Sequence, residues 1–281
     1  MTNSAKKYIV PIFLTTKLMK TTLILSMLAG MTFQSCIVSQ DAIVPSENYL
    51  TQQVNVAAFD GIKTSTAIDV VYTQADRTAV EIYAPDNLME YVKVESRDGL
   101  LNVYFESDEA GKSLNIRGNH KTQVRVSAPA VHTLQASSSG DIVLANGLKT
   151  DGCVRIESSS SGDIEGADIS CEELKIQASS AGDIELERVE CSSLHAEASS
   201  SGDVSVSGVA RSAKFEASSA GDIDADELKA EEVTAKASSA GDVSCHAVAS
   251  LEASTSSAGN VRYKGNPKDI RIHSKGVQKI D

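Results

Sequence analysis

One seven-residue phrase recurs through the second half of the chain. ASSSGDI ends at Ile142, SSSSGDI at Ile164, ASSAGDI at Ile184 and ASSSGDV at Val204. ASSAGDI, ASSAGDV and TSSAGNV follow, ending at Ile223, Val243 and Val261. The Gly-Asp or Gly-Asn pairs begin at 140, 162, 182, 202, 221, 241 and 259, giving spacings of 22, 20, 20, 19, 20 and 18. A period near 20 is too short for a helical hairpin repeat, and no leucine-rich signature accompanies it.

Alternation identifies the local structure. In the third copy Leu174, Ile176, Ala178, Ser180, Gly182, Ile184 and Leu186 share one parity, and Lys175, Gln177, Ser179, Ala181, Asp183, Glu185 and Glu187 the other. The fourth copy does the same from Leu194 to Ser207, with His195 and Glu197 on the polar side. Side chains on a strand point alternately to opposite faces, so each copy reads as strand with an apolar or small inner face. A second apolar cluster in each copy (Ile169, Val189, Val209, Leu228, Val248) gives about three short sides per repeat. One such coil cannot bury its inner face. Coils stacked about 4.8 Å apart can, with every ladder hydrogen bond made to the coil above or below. The expected fold is all-β, a parallel β-helix of about 20 residues per coil, and each inward Ile, Leu or Val contributes roughly 1.5–3 kcal/mol. The repeated glycine is expected to make the bend by taking a positive φ.

Composition narrows the function. The chain has 281 residues and a net charge of −12, which disfavours a nucleic-acid partner. Between 134 and 262 the one aromatic residue is Phe215, on the inward parity. A polysaccharide lyase or hydrolase needs a groove with convergent acid and base groups and aromatic platforms, so the enzyme reading is the weaker alternative. No Gly-x-Ser-x-Gly elbow and no Cys-x-x-Cys occurs, and no catalytic residue, metal site or cofactor is expected.

Residues 1–35 read as a targeting segment with Met19 as its natural start: MKTTLILSMLAGMTFQSC has one early lysine, a short apolar stretch and a small residue before Cys36. The FQSC tail resembles a bacterial lipobox, with Phe33 where leucine is usual. Cys36 is therefore the expected lipidation site, fixing the protein to a membrane through acyl chains. Residues 36–53 read as a tether, 54–274 as a single β-helix domain with irregular coils over 54–133 and regular repeats over 134–263, and 264–281 as a C-terminal cap or tail.

The Ser-Gly-Asp-Ile/Val turns, together with FDGIKTSTAIDVVYTQADRTAVEIYAPDNL upstream, resemble the Bacteroidetes adhesin-like "head GIN" domain family. Phe59, Gly61, Ile62, Asp69, Val70, Gln74 and Val80 carry the likeness, VESRDGLLNV and VRVSAPAVHTL continue it, and VRYKGNP looks like a closing turn. The likeness covers roughly residues 54–274. It implies a right-handed β-helix, a cell-envelope lipoprotein and a non-catalytic role in adhesion or in binding a surface glycan or protein. It supplies no catalytic residue. A structural envelope scaffold is a further alternative.

Three sets of residues stand out as sites. Asp141, Asp163, Asp183, Asp203, Asp222, Asp242 and Asn260 form a stripe that reads either as a cation or ligand site or as turn chemistry. Cys171 and Cys191 occupy equivalent places in adjacent coils, within disulfide range, and read as stacked free thiols or, as the alternative, a disulfide, with Cys153 and Cys245 elsewhere. His120, His132, His195, His246 and His273 show no metal-ligand spacing and read as solvated surface residues.

Overall fold

The computed structural model describes residues 42–106 and 113–280. The targeting segment, Cys36 and the start of the tether lie outside the described residues, as do residues 107–112. The chain is a parallel β-solenoid of stacked coils. Its defining column runs Val70, Ile142, Ile164, Ile184, Val204, Ile223, Val243, Val261 and Val277, each in register with the next. From Val70 to Val261 every member is buried. A second column on the preceding strand runs Ile62, Leu134, Ile156, Ile176, Ala196, Phe215, Ala235, Ala253 and Ile272. Alternating side-chain direction puts both columns inside except at the last rung, where Ile272 is 44% exposed and Val277 is half-buried.

The corner is made differently from expectation. In each repeat the two residues before the glycine take the left-handed conformation, as in Ser180 (φ 54°) with Ala181 (φ 62°) and Ser200 (φ 53°) with Ser201 (φ 63°). The Gly182 N–H donates to the Ser179 carbonyl at 3.1 Å, closing a four-residue turn with positive φ at both central positions. Ser180, on the inner parity by simple alternation, is thus exposed at the corner. The seven corner glycines themselves are not in the left-handed region. Their requirement is close approach: a Cβ on Gly202 would lie 2.5 Å from the Ser179 nitrogen of the preceding coil. The first corner, Thr66 (φ 62°) and Ala67 (φ 59°), carries buried Ile68 where the later repeats carry glycine.

On the third side Ile169, Val189 and Leu228 are buried, but Val209 and Val248 are each 49% exposed. This corrects their placement in the inner cluster. Gly208, at φ 134°, takes the register position beside Val189, where a Cβ would lie 2.1 Å from the Val189 carbonyl oxygen. Val209 is thereby turned outward, between Glu190 and Lys229. Val248 falls in a bulge where the pairing slips between Ala230 and Glu232.

The first coils are mixed. Ala79–Pro85 pairs antiparallel with both Tyr49–Val54 and Gln123–Ala128, and Val92–Arg97 forms a hairpin with Leu100–Phe105. Tyr72 is buried there and donates its hydroxyl to the Pro129 carbonyl at 2.7 Å. At the other end Asp269–Ile272 and Val277–Lys279 pair in parallel with the coil before them. The charged C-terminal stretch thus contributes two more rungs to the stack.

Candidate binding face

Two outward arrays are candidates. The first is the aspartate stripe at the corner. Each Asp N–H donates to the carboxylate of the coil before it: Asp163 to Asp141 at 3.0 Å, Asp183 to Asp163 at 2.9 Å, Asp203 to Asp183 at 3.1 Å. The series continues through Asp222 and Asp242 at 3.0 and 2.9 Å. Asn260 ends it with both its backbone N–H and its amide nitrogen on Asp242 Oδ1. One oxygen of each carboxylate is therefore engaged by the backbone of the neighbouring coil. Asp69 is an earlier member, missed in the repeat because Ile68 replaces the glycine. Burial raises its pKa, the Asp141 charge raises it further, and the Asp141 backbone N–H partly offsets both.

The second array is the outward side of the strands that lead into the corner, here the leading face. Arg155, Lys175, His195 and Lys214 stack in one column, and Glu157, Gln177, Glu197, Glu216 and Lys236 in the next. The columns are cross-linked. Arg155 meets Glu157 at 3.1 Å, and Lys214 meets Glu216 at 2.6 Å with Lys236 at 3.5 Å from the other oxygen. Burial pushes the Glu216 carboxyl up, but hydrogen bonds from Lys214 and His195 and the Lys236 charge bring it net below the ordinary value.

Two depressions share this face. The larger, about 630 Å³, is walled by Gln177, Glu197, Glu216 and Lys236 with Ser199, Ser218 and Ser238, over Ala198, Ala217 and Ala237. The smaller, about 190 Å³, lies between Arg155, Lys175, Gln177 and His195. Hydroxyls, amide and both signs of charge ring the larger one. His195 Nε2 lies 3.2 Å from Glu197 Oε1 and 3.2 Å from Glu216 Oε2. Among the described residues this is the one grouping of three or more His, Cys, Asp or Glu donors within 4.8 Å of one another.

Alternation alone puts these residues outward but does not single out the leading face as a site. The missing signal is the alignment of repeats: Glu157, Gln177, Glu197 and Glu216 each stand five residues before the corner glycine. Cys171 and Cys191 are register partners, buried and free. Burial, then the neighbouring Cys153 and Cys171 respectively, pushes their thiols up to about 11 and about 12. Burial lowers the pKa of His120. No described helix is long and apolar enough to cross a membrane.

A stacked parallel solenoid with an ordered, polar outer face defines a protein of the β-solenoid class. A family profile described as "Putative auto-transporter adhesin, head GIN domain" matches residues 58–267. The chain belongs to this family. A "putative lipid binding protein" from Parabacteroides distasonis is similar in structure, with TM-score 0.77 and 23% identity over 85% of this chain and 100% of that one. A "putative adhesin" from Parabacteroides merdae gives 0.76 at 22% identity, over 86% of this chain and 100% of that one. Another from Bacteroides fragilis gives 0.64 at 27% identity, over 85% and 100%. Comparison with curated proteins returned no match.

Proposed function

We propose that this protein is a non-catalytic, membrane-tethered binding module of the cell envelope that presents its leading face to a surface glycan or protein. The observation that carries the reading is the 630 Å³ depression between Gln177, Glu197, Glu216 and Lys236. Its walls stand on strands locked in register, so the backbone beneath them needs no reordering on binding. Family membership supports adhesion over catalysis. The interior position of Phe215, 1% exposed, leaves the regular coils without an aromatic platform for sugar processing. In this reading Cys36 carries the lipid, a tether shorter than 36–53 spans the gap to the membrane because Tyr49–Val54 is already paired into the fold, and the aspartate stripe serves the corner rather than a ligand.

Protease shaving of intact cells tests the exposure this requires. Cleavage of the domain on whole cells is the expected result, whereas protection until lysis rules out adhesion to external partners. A glycan array with wild type and Lys236→Glu assigns the face: binding should be lost in the variant. Retained binding would move the site off the leading face, and turnover of any polysaccharide would replace the reading with an enzyme.

A further inference from the structure

We propose that His195, Glu197 and Glu216 form a binding site for one divalent transition metal of the Zn²⁺ type, on the ridge between the two depressions. The inference is independent of what the leading face binds.

Sequence spacing conceals this set, because Glu216 follows His195 by 21 residues. The stack assembles it. His195 and Glu197 are two apart on one strand and so share a face, and Glu216 is the register partner of Glu197 on the next coil. Their backbones are held by ladder pairing on both sides. Such a base keeps donor positions rigid, which a metal site requires.

The geometry at His195 exceeds what one proton can serve. Nε2 faces two carboxylate oxygens at 3.2 Å, and the contact to Glu216 is the one with hydrogen-bond geometry. A metal with bonds of about 2.0–2.1 Å in a tetrahedral arrangement separates its ligand atoms by about 3.3 Å, close to both contacts. One imidazole nitrogen and two carboxylate oxygens suit Zn²⁺ and its neighbours, whereas Ca²⁺ and Mg²⁺ prefer oxygen alone. Three protein donors leave a further position for water or for an oxygen of a bound ligand. Glu197 and Glu216 also line the larger depression, so that ligand has a place to lie.

The column itself distinguishes this coil. Arg155, Lys175 and Lys214 are permanent cations that serve only ion pairing, and His195 between them is the one member able to ligate. Lys214 and Lys236 now neutralise Glu216, and the metal replaces them with the same total charge. Their side chains are 42% and 55% exposed, so both ammonium groups can turn to water. Exposed pairs of this kind contribute little to stability, so the exchange is favoured when a metal is supplied.

The test is calorimetric titration of the chelator-treated protein with ZnCl₂ alone, with MgCl₂ as the control. One equivalent of Zn²⁺ should bind, Mg²⁺ should give no heat, and affinity should fall at least tenfold in both His195→Gln and Glu216→Gln. Lys214→Met, which removes the competing ammonium, should tighten binding several-fold. Thermal melting of each variant without metal confirms that it is folded. Absence of Zn²⁺ binding in both wild type and Lys214→Met overturns the proposal, as does binding that survives in folded His195→Gln. Failure here leaves the glycan and shaving results untouched, since neither uses added metal.

Discussion

Gly202 lies against Ser179 of the preceding coil so closely that a Cβ would stand 2.5 Å from its backbone nitrogen. Gly202→Ala should therefore destabilise the fold by about 2–3 kcal/mol, the usual scale of forced overpacking. Ser200→Gly at the same corner should be neutral or stabilising by up to about 1 kcal/mol, because it relieves a left-handed φ of 53°. Urea unfolding of the two variants checks the pair. The opposite order would show that the bend, and not the close approach, demands the glycine.

Phe215 is one large ring between Ala196 above and Ala235 below. It fills space that two small neighbours leave, and it is 1% exposed. Phe215→Ala should cost about 3–5 kcal/mol by opening a cavity spanning three coils. Ala196→Val in the same background should recover part of that loss if the column shares one volume, which a melting series would read.

Asp203 accepts the Asp222 backbone N–H at 3.0 Å. Asp203→Ala should lower stability by about 1 kcal/mol by removing that acceptor. Asp203→Asn keeps an acceptor and removes a like charge, so at low ionic strength it should match or exceed wild type. Melting temperatures unchanged by Ca²⁺ would agree with a stripe occupied by backbone amides. A calcium-dependent rise lost in Asp203→Asn would instead make the stripe a cation site.

Asp69 has a raised pKa, from burial first and the Asp141 charge second. A carboxyl raised in the folded state contributes its stability fully below the ordinary value of 3.8 and loses it as pH rises through the raised value. Ionised Asp69 is thus a cost at neutral pH. Asp69→Asn should melt higher than wild type at pH 7, with the difference closing as pH falls toward 4. A gap that widens on acidification would contradict the assignment.

Cys153 is exposed, whereas Cys171, Cys191 and Cys245 are buried, with thiols pushed up by burial to about 11, 12 and 12. The thiolate is the reactive form. Pulsed alkylation of the folded protein with mapping by mass spectrometry should label Cys153 and leave the other three until denaturation. Early labelling of Cys171 would indicate that the coil opens locally at that strand.

Much of this architecture was legible in one dimension because a solenoid is built from nearest-neighbour coils. The parity of Ile164, Ile184 and Val204 sufficed to stack them, and Phe215 was correctly read as interior. The failures are local and share a cause. Strict alternation put Ser180 inside, but a turn with two left-handed residues breaks the period of two. Val209 and Val248 looked equivalent to Val189, but the coils differ in length, and the slack is taken up by Gly208 and by the bulge at Val248. Asp69 escaped notice because its corner carries Ile68 instead of the glycine.

The candidate site was less legible than the fold. Alternation puts His195 and Glu197 outward, and Glu216 lies opposite the inward parity of Phe215, but nothing in linear spacing joins the first to the last. By itself the sequence determined that this chain must wind into stacked coils, since apolar residues recurring every 20 positions on alternating strand can be buried in no smaller unit. Only the tertiary structure decided which outward residues meet, because the register between coils is set by corner glycines and small changes in coil length. In-register stacking sets Glu216 beside Glu197 on the next coil, and that places it diagonally across from the His195 imidazole.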